Sequence, residues 1–295
     1  MTTSQATTRV SFKTILFAND FSPCSEAALP YVLSLARCYD SKVIVAHAVP
    51  IEPLAGITPA PPPVEVDLAW QDAKRGMQKY QESREFADLR HEFVLERGDP
   101  LAVISDLMAH QDVDLVVLGT HGRKGLRKLF AGSVAEKIFR KATCPVLTVG
   151  PASESKMKVT WKPRLIVFAT DFSAGSLHAL PYAISLAEEN HAQLILMHAL
   201  PMVAWDQQVE MRLTYEKRLQ ALAGPDTPHD CTVDYAVRFD LPAPAILSLA
   251  REKQADLIVM GVHHAPLATL ESHMPWTMAC DVISDAHCPV LTVRG

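Results

Sequence analysis

Three glycines and a serine form the group of residues with the clearest chemical potential in this chain. Their spacing is Gly119-x2-Gly122-x9-Gly132-Ser133. An apolar run typical of a buried parallel strand precedes them, and an amphipathic helical pattern follows them. Glycine lets backbone N–H groups approach an anion closely, and a helix N-terminus attracts anions. The spacing therefore predicts a phosphate-binding connection, in which Ser133 caps the helix or donates to a phosphate oxygen. The alternative is an ordinary glycine-rich turn before a capped helix.

Composition narrows the classes of protein to consider. The 295 residues are enough for two domains, and the net charge of −5 gives no basic footprint for nucleic acid. No apolar run approaches the length of a membrane span, and we expect no signal peptide because the N-terminus lacks an apolar core. The six cysteines are scattered and form no CxxC pair. We therefore predict a cytoplasmic protein with neither nucleic acid nor membrane as a partner.

The chain repeats itself. Five blocks recur in the same order, so the chain is a duplication of one unit of ordinary domain size. We therefore predict two domains, residues 1–150 and residues 151–295. The matching blocks are 15–22 with 166–173, 28–36 with 179–187, 42–50 with 193–201, 113–119 with 255–261, and 144–149 with 288–293.

Within each unit, short apolar strands alternate with helical patterns. This alternation predicts an α/β fold, a Rossmann-like open and mainly parallel sheet with helices on both faces. In the first unit the predicted strands are 12–19, 42–49, 90–97, 113–119 and 144–149, and the predicted helices are 23–39, 65–87, 100–110 and 132–142.

The predicted site lies at one rim of this sheet. Ligands of open parallel sheets bind beyond the carboxyl ends of the strands, where Asp20, Ala48 and Gly119 are expected. The Asp20 carboxylate could accept from an adenine amine or a ribose hydroxyl, or it could cap the next helix. His121 lies between two motif glycines and could reach a phosphate. His47, near a strand end, is better explained as a buried structural histidine, as is His198 in the second unit.

The second unit keeps the scaffold but loses the glycine motif. It has Gly261-Val-His-His264 and then Trp276 where the first unit has its last motif glycine. Bulky side chains there would obstruct the approach of backbone amides to phosphate, so we predict that this unit does not bind nucleotide in the same way. His263, His264, His273 and Cys280 match no metal-binding template, and no metal site is predicted.

These motifs together resemble the universal stress protein family in its tandem-domain form. The resemblance rests on the glycine motif, the Asp-Phe-Ser at Asp20 and Asp171, and the closing Cys-Pro-Val-Leu-Thr-Val from Cys144 and Cys288. It extends from about Ser11 to Val293. It implies the strand order 3-2-1-4-5 in each unit and ATP, with or without Mg²⁺, as the ligand of the first. Carried over by position, it implies ligand contacts from Ala18, Asn19, Asp20, Ala48, Leu118, Gly119, His121, Gly122, Gly132, Ser133, Val134 and Ala135.

The favoured function is a stress-response module that binds ATP as a sensor or regulator with little or no hydrolysis. No nucleophile–base pair, carboxylate pair or Walker lysine pattern is present, so we assign no catalytic residue. Two alternatives stay open. One is a slow ATPase in which His121 or Asp20 orients water. The other is a scaffold whose second domain binds a protein partner, an apolar ligand or a metal through Trp276 or the helix at 205–222, although core packing is the favoured use of that helix.

Pairing between domains is expected from the family's usual mode of dimerisation. The last strands of the two units, Val146–Val149 and Val290–Val293, could pair within one chain as an intramolecular pseudo-dimer, because an open edge strand invites such pairing. A homodimer of whole chains is left open.

Overall fold

The computed structural model describes residues 10–51, 63–120, 133–150, 160–223, 231–262 and 275–295, with backbone only at 63–67, 133–134 and 275–277. Two compact units are present. One comprises residues 11–161, and the other comprises residues 162–295 together with Val10. Among the described residues, none of the helices is both long and apolar enough to cross a lipid bilayer.

Strands and helices alternate in the first unit. In chain order the elements are β1 (Thr14–Ala18), α1 (Pro23–Tyr39), β2 (Lys42–Val49), α2 (Pro63–Glu82), a 3-10 turn (Arg84–Phe86), β3 (Arg90–Arg97), α3 (Pro100–His110), β4 (Leu115–Gly119), α4 (Ser133–Lys141) and β5 (Val146–Val149).

The second unit repeats this order with one helix split in two. Its elements are β6 (Leu165–Ala169), α5 (Ala174–Leu177), α6 (Leu180–Asn190), β7 (Gln193–Leu200), α7 (Trp205–Ala223), β8 (Val233–Phe239), α8 (Pro242–Lys253), β9 (Leu257–Val262), α9 (Pro275–Asp285) and β10 (Val290–Arg294).

Both units have the predicted parallel α/β architecture. The strand order is β3-β2-β1-β4-β5 in the first unit and β8-β7-β6-β9-β10 in the second. The chain moves from β1 outward to β3, then crosses back to β4 and continues to β5. Because crossovers between parallel strands are right-handed, α1 and α2 lie on one face and α3 and α4 on the other. The prediction of the fold class is confirmed.

An aspartate fixes the start of the central strand in each unit. The Asp114 Oδ2 atom accepts from the backbone amides of Lys13 and Thr14 at 2.8 and 2.9 Å. In the second unit, Asp256 Oδ2 accepts from the amides of Arg164 and Leu165 at 2.9 and 3.2 Å. The repeated aspartate of the two sequence blocks therefore has a structural role that connects β4 to β1 and β9 to β6.

The first helix of each unit begins at a serine cap. Ser22 has an extended backbone, its hydroxyl accepts from the Ser25 amide at 3.2 Å, and Pro23 occupies the first helical position. Ser173 caps α5 in the same way through Ser176. The alternative that Asp20 caps α1 is therefore wrong.

The helix α7 packs on the sheet along only part of its length, so the prediction of core packing holds in part. Leu219 is buried, and half-buried Tyr215 stacks on His198. The α7 residues Trp205, Val209 and Leu213 are exposed instead.

Candidate functional site

A cavity of about 200 Å³ opens at the carboxyl ends of β1, β2 and β4 in the first unit. It lies where the strand order switches direction, between β1 and β4, which is the usual ligand position in an open parallel sheet. Both crossover helices of one face contribute to it, α3 through Pro100 and Ile104 and α4 through Ala135 and Ile138. The lining is mostly aliphatic, with polar atoms supplied by the β1–α1 turn.

The floor of the cavity is a row of side chains across three neighbouring strands. Ala18 of β1 pairs in register with Ala46 of β2 on one side and with Leu118 of β4 on the other. Side chains in register point to the same face of a sheet, and Ala48 follows Ala46 on that face. The side chains of Ala18, Ala46 and Ala48 end at Cβ, so they leave the space above this part of the sheet open. A flat apolar ring could stack in this space.

The β1–α1 turn supplies the carboxylate of the site. Asp20 Oδ1 accepts from the Ser22 amide at 3.0 Å and from the Ser25 hydroxyl at 2.6 Å. Asp20 is half-buried, and both Asp20 and Ser25 line the cavity. The carboxylate is thereby fixed in orientation by the first turn of α1. A carboxylate held in this way is suited to accept hydrogen bonds from hydroxyl or amine donors.

Gly119 is needed by packing as well as by the site. A Cβ on this residue would lie 2.7 Å from the backbone C and O atoms of Cys24 and 2.8 Å from the Ser25 amide nitrogen. The end of β4 therefore touches the start of α1 directly. Gly261 has the same role in the second unit, where a Cβ would collide with the backbone of Gly175 and Ser176. Glycine at this position is consequently a property of the scaffold in both units.

The opposite face of the rim holds an aromatic cluster. The His47 ring packs against Phe21 with centroids 4.5 Å apart, and its Nδ1 bonds the Asn19 carbonyl at 2.7 Å. Phe21 adopts a left-handed φ of 56° that is supported by its amide donating to Asn19 Oδ1. Tyr80 of α2 closes the cluster, and burial raises the pKa of its phenol to about 12. His47 is hydrogen-bonded as predicted, but it is half-buried rather than buried.

Seven of the twelve predicted contact residues line the cavity. They are Ala18, Asn19, Asp20, Ala48, Leu118, Gly119 and Ala135. Ser133 and Val134 are the first two residues of α4, whose Ala135 reaches the cavity, but their side chains lie outside the described residues. His121, Gly122 and Gly132 also lie outside the described residues, as do His263, His264 and His273 of the second unit.

Six lining residues were not predicted as contacts. Ala46 could have been found from strand periodicity, since it lies two residues before Ala48 on the same face. His47, already assigned a structural role, reaches the cavity at the end of β2. The others come from helices, and no local sequence signal points them at the site. The six are Ser25, Ala46, His47, Pro100, Ile104 and Ile138.

The second unit fills the corresponding space. Met197 of β7 and Met260 of β9 flank Ala169 in the same register in which Ala46 and Leu118 flank Ala18. Each methionine is only 1% exposed. Met197 therefore places a long thioether side chain where the first unit has an alanine, while Met260 stands in place of a leucine of similar volume. This difference lies in the strands and is independent of the glycine motif.

The polar turn also changes in the second unit. Asp171 is exposed, and its Oδ1 accepts from the amide and hydroxyl of Ser173. The Ser176 hydroxyl bonds to Thr170 at 2.8 Å, whereas its counterpart in the first unit donates to the aspartate. His198 bonds the Thr170 carbonyl at 2.7 Å, which confirms its predicted structural role, and burial lowers the pKa of its imidazole.

Comparison with known proteins identifies relatives of this chain. A sequence model of the Universal stress protein family matches residues 11–150 and 163–294. Universal stress protein MJ0531 of Methanocaldococcus jannaschii is 29% identical over 140 residues, which are 47% of this chain and 82% of that protein. Universal stress protein YxiE of Bacillus subtilis is 28% identical over 146 residues, 47% of this chain and 99% of that protein. Each of these relatives thus aligns with about half of the chain.

Solved structures share the fold of the whole chain. A universal stress protein from Archaeoglobus fulgidus superimposes with a TM-score of 0.69 at 21% identity, covering 95% of this chain and 98% of that one. A putative universal stress protein from Pseudomonas aeruginosa gives a TM-score of 0.58 at 16% identity, covering 96% and 93%. With two matches of the family model that together span most of its residues, this chain belongs to the universal stress protein family and carries two of its domains in tandem.

Proposed function

We propose that the first unit binds an adenine nucleotide, ATP in particular, and that the chain acts as a cytoplasmic stress-response module that senses or stores it with little hydrolysis. The observation that carries the proposal is the cavity at the β1–β4 switch point, with an apolar floor and a fixed carboxylate at its edge. An adenine ring would stack between the alanine floor and the side chains of Ile104 and Ile138. Asp20 would accept from the hydroxyls or amine of the nucleoside.

The phosphates would extend toward the start of α4. That helix begins at Ser133, and Ala135 in its first turn lines the cavity. A helix N-terminus presents unsatisfied amides and a positive dipole end to an anion. No group of three or more Asp, Glu, His or Cys side chains lies together in the described part of the chain. We therefore expect the phosphates to provide most of the ligands of any bound Mg²⁺.

We expect little hydrolysis from the hydrogen bonds of the described polar groups. Asp20 is engaged by Ser22 and Ser25 on one carboxylate oxygen, and the His47 ring packs on Phe21 with its Nδ1 bonded to the Asn19 carbonyl. With these contacts made, we expect neither group to act as a general base; His121, the other residue that could orient water, lies outside the described residues. Binding that stabilises the ground state and provides no base does not accelerate the chemical step.

The two units are expected to differ in binding. Met197 is buried at the position equivalent to Ala46, where the base would stack in the first unit, so we expect one nucleotide per chain. The experiment is calorimetric titration of nucleotide-free protein with MgATP, with and without EDTA. Ala46→Met places in the first unit the residue that the second unit already accommodates, and we expect it to weaken binding about 10- to 100-fold. Ala109→Met, at an exposed position of α3, is the matched control.

Three kinds of result would support or contradict the proposal that the first unit binds ATP without turnover. One site per chain that is weakened by Ala46→Met and unaffected by Ala109→Met supports the proposal. No measurable binding, or binding that Ala46→Met leaves unchanged, contradicts it. Release of phosphate at ordinary enzyme rates, of order 1–1,000 per second, would replace the sensor with an ATPase.

A further inference from the structure

The second unit carries an exposed apolar surface that the proposed function does not use. Trp205, Val209 and Leu213 follow one another at intervals of four along α7, so they form one stripe on that helix. Trp205 is 80% exposed, and Met202 just before the helix and Leu241 at the start of α8 are 70% exposed. We call these five residues the α7 apolar surface. The stripe places three exposed apolar side chains next to one another, and exposed apolar surface larger than a single residue usually marks an interaction site.

Trp205 and Val209 are exposed because α7 extends past the end of the sheet, whereas Leu213 lies over the strands on the solvent side of the helix. Tyr215 stacks on His198 at 4.7 Å, and Arg212 donates to the Val237 carbonyl at 3.1 Å, so this part of the helix lies over the strands. Trp205 is ten residues earlier, about 15 Å along the helix. β7 continues for two residues beyond His198, about 7 Å. The first turns of α7 therefore project beyond the sheet.

Leu241 lies at the same edge of the second unit, beyond the carboxyl ends of its strands. The Asp240 amide donates to the Leu200 carbonyl at 2.9 Å, which brings the end of β8 next to the end of β7, just before Met202. Leu241 is the N-cap residue of α8 and makes no side-chain cap hydrogen bond. At the equivalent position of the first unit, Asp99 caps α3 by accepting from the Ala102 amide at 3.0 Å. The second unit thus has an exposed leucine where the first unit has a capping aspartate.

Carboxylates border this surface. Asp206 and Glu210 lie beside the stripe on α7, and Asp240 directly precedes Leu241; all three are exposed. None of the three forms an ion pair with another residue of the described part of the chain. The basic side chains of α7 that follow Glu210 either contact other residues or lie further along the helix. Arg212 stacks over Phe239 and bonds β8, Arg218 stacks over Phe172, and Lys217 is two turns beyond Glu210.

We propose that the α7 apolar surface is a docking site for a basic amphipathic helix of another protein. The apolar side of such a helix would cover Trp205 and its neighbours, and its lysines or arginines would meet Asp206, Glu210 and Asp240. Complementary charge of this kind favours encounter and fixes register. A second copy of this chain would bring the same carboxylates against each other, and an anionic lipid surface would be repelled. This site is independent of nucleotide binding in the first unit.

The test uses the full chain and two synthetic 18-residue helical peptides, one of leucine and lysine and one of leucine and glutamate in the same pattern. Fluorescence anisotropy of the labelled peptides measures affinity at 0.05 and 0.2 M salt. We expect the lysine peptide to bind more tightly and its affinity to fall with salt. Trp205→Ser with Leu241→Ser should weaken it at least about tenfold. Leu68→Ser, at an exposed leucine of the first unit, is the matched control and should leave it unchanged.

A charge-reversed variant distinguishes charge-specific docking from non-specific hydrophobic binding. Asp206→Lys with Glu210→Lys and Asp240→Lys should reverse the preference toward the glutamate peptide, while circular dichroism confirms that each variant is folded. The proposal would be overturned if the unaltered chain bound both peptides equally. It would also be overturned if Leu68→Ser weakened binding of the lysine peptide as much as Trp205→Ser with Leu241→Ser does. A dimer in sedimentation velocity that Trp205→Ser dissociates would assign the surface to a second copy instead. Binding to phosphatidylserine vesicles that depends on Trp205 would assign it to a membrane.

Discussion

Replacing Gly119 by alanine tests whether this glycine is required by packing or by ligand. The added Cβ would lie 2.7 Å from the backbone of Cys24 and 2.8 Å from that of Ser25. Both neighbours belong to the first turn of a buried helix, so no flexible side chain can move aside. If packing is the cause, Gly119→Ala destabilises the protein even when no nucleotide is present. Gly261→Ala should do the same in the second unit.

The magnitude follows from the distances. Carbon atoms pack favourably at about 3.5–4.0 Å, so the start of α1 or the end of β4 must shift by roughly 0.8 Å. Overpacking of this kind costs about 1–3 kcal/mol. For a domain of this size, about 1 kcal/mol lowers Tm by roughly 2–4 °C, so we expect a fall of roughly 2–12 °C. The contact at Gly261 is closer than that at Gly119, so Gly261→Ala should be at least as damaging.

The assay is differential scanning calorimetry of nucleotide-free protein. Leu68→Ser changes an exposed position and should move Tm by less than about 2 °C. If Gly119→Ala leaves Tm unchanged and lowers only the affinity for MgATP, the packing argument is refuted. Glycine would then be required at position 119 only for ligand binding.

Three further predictions concern stability and thiol reactivity. Because burial lowers the pKa of His198, its neutral form is favoured in the fold, so stability should be full above about pH 6.5 and fall as pH decreases below it; His198→Gln should flatten this slope in thermal melts, and an unchanged slope would contradict the assignment. Burial raises the pKa of Cys144 to about 11, so a disulfide reagent at pH 7.5 should label exposed Cys38 well before it; simultaneous labelling of the native protein would count against the structure. Asp114→Ala removes the acceptor for two β1 amides and should cost about 2 kcal/mol in urea unfolding, whereas a loss below about 0.5 kcal/mol would show that those bonds contribute little.

Local patterns in the sequence predicted most of the fold. Strands β2 and β3 and helices α1 and α3 have the predicted bounds, because their apolar periodicity and proline or serine starts are encoded within each segment. β1 begins at Thr14 rather than 12, and α2 ends at Glu82 with a separate 3-10 turn after it. These differences arise at element ends, where hydrogen bonds to other segments decide the last residues.

The candidate site was predicted in part, for a related reason. Asp20, Ala48 and Gly119 end strands, and the ends of parallel strands meet at one rim whatever the details of packing. Ile104 and Ile138 come from two helices on the other side of long crossovers. Their convergence depends on how those helices settle on the sheet, which no local spacing records.

The sequence by itself determined the duplication, the alternation of strands and helices, and the family to which both halves belong, because these depend on repeated blocks and short-range periodicity. Only the tertiary structure showed a difference between the halves that is independent of the glycine motif. Ala46 and Met197 occupy equivalent positions in the two repeats, but only the register with β1 and β6 shows that each faces the ligand space. It also decided that Trp205 is exposed, because the distance by which α7 passes the sheet depends on strand length and helix placement together.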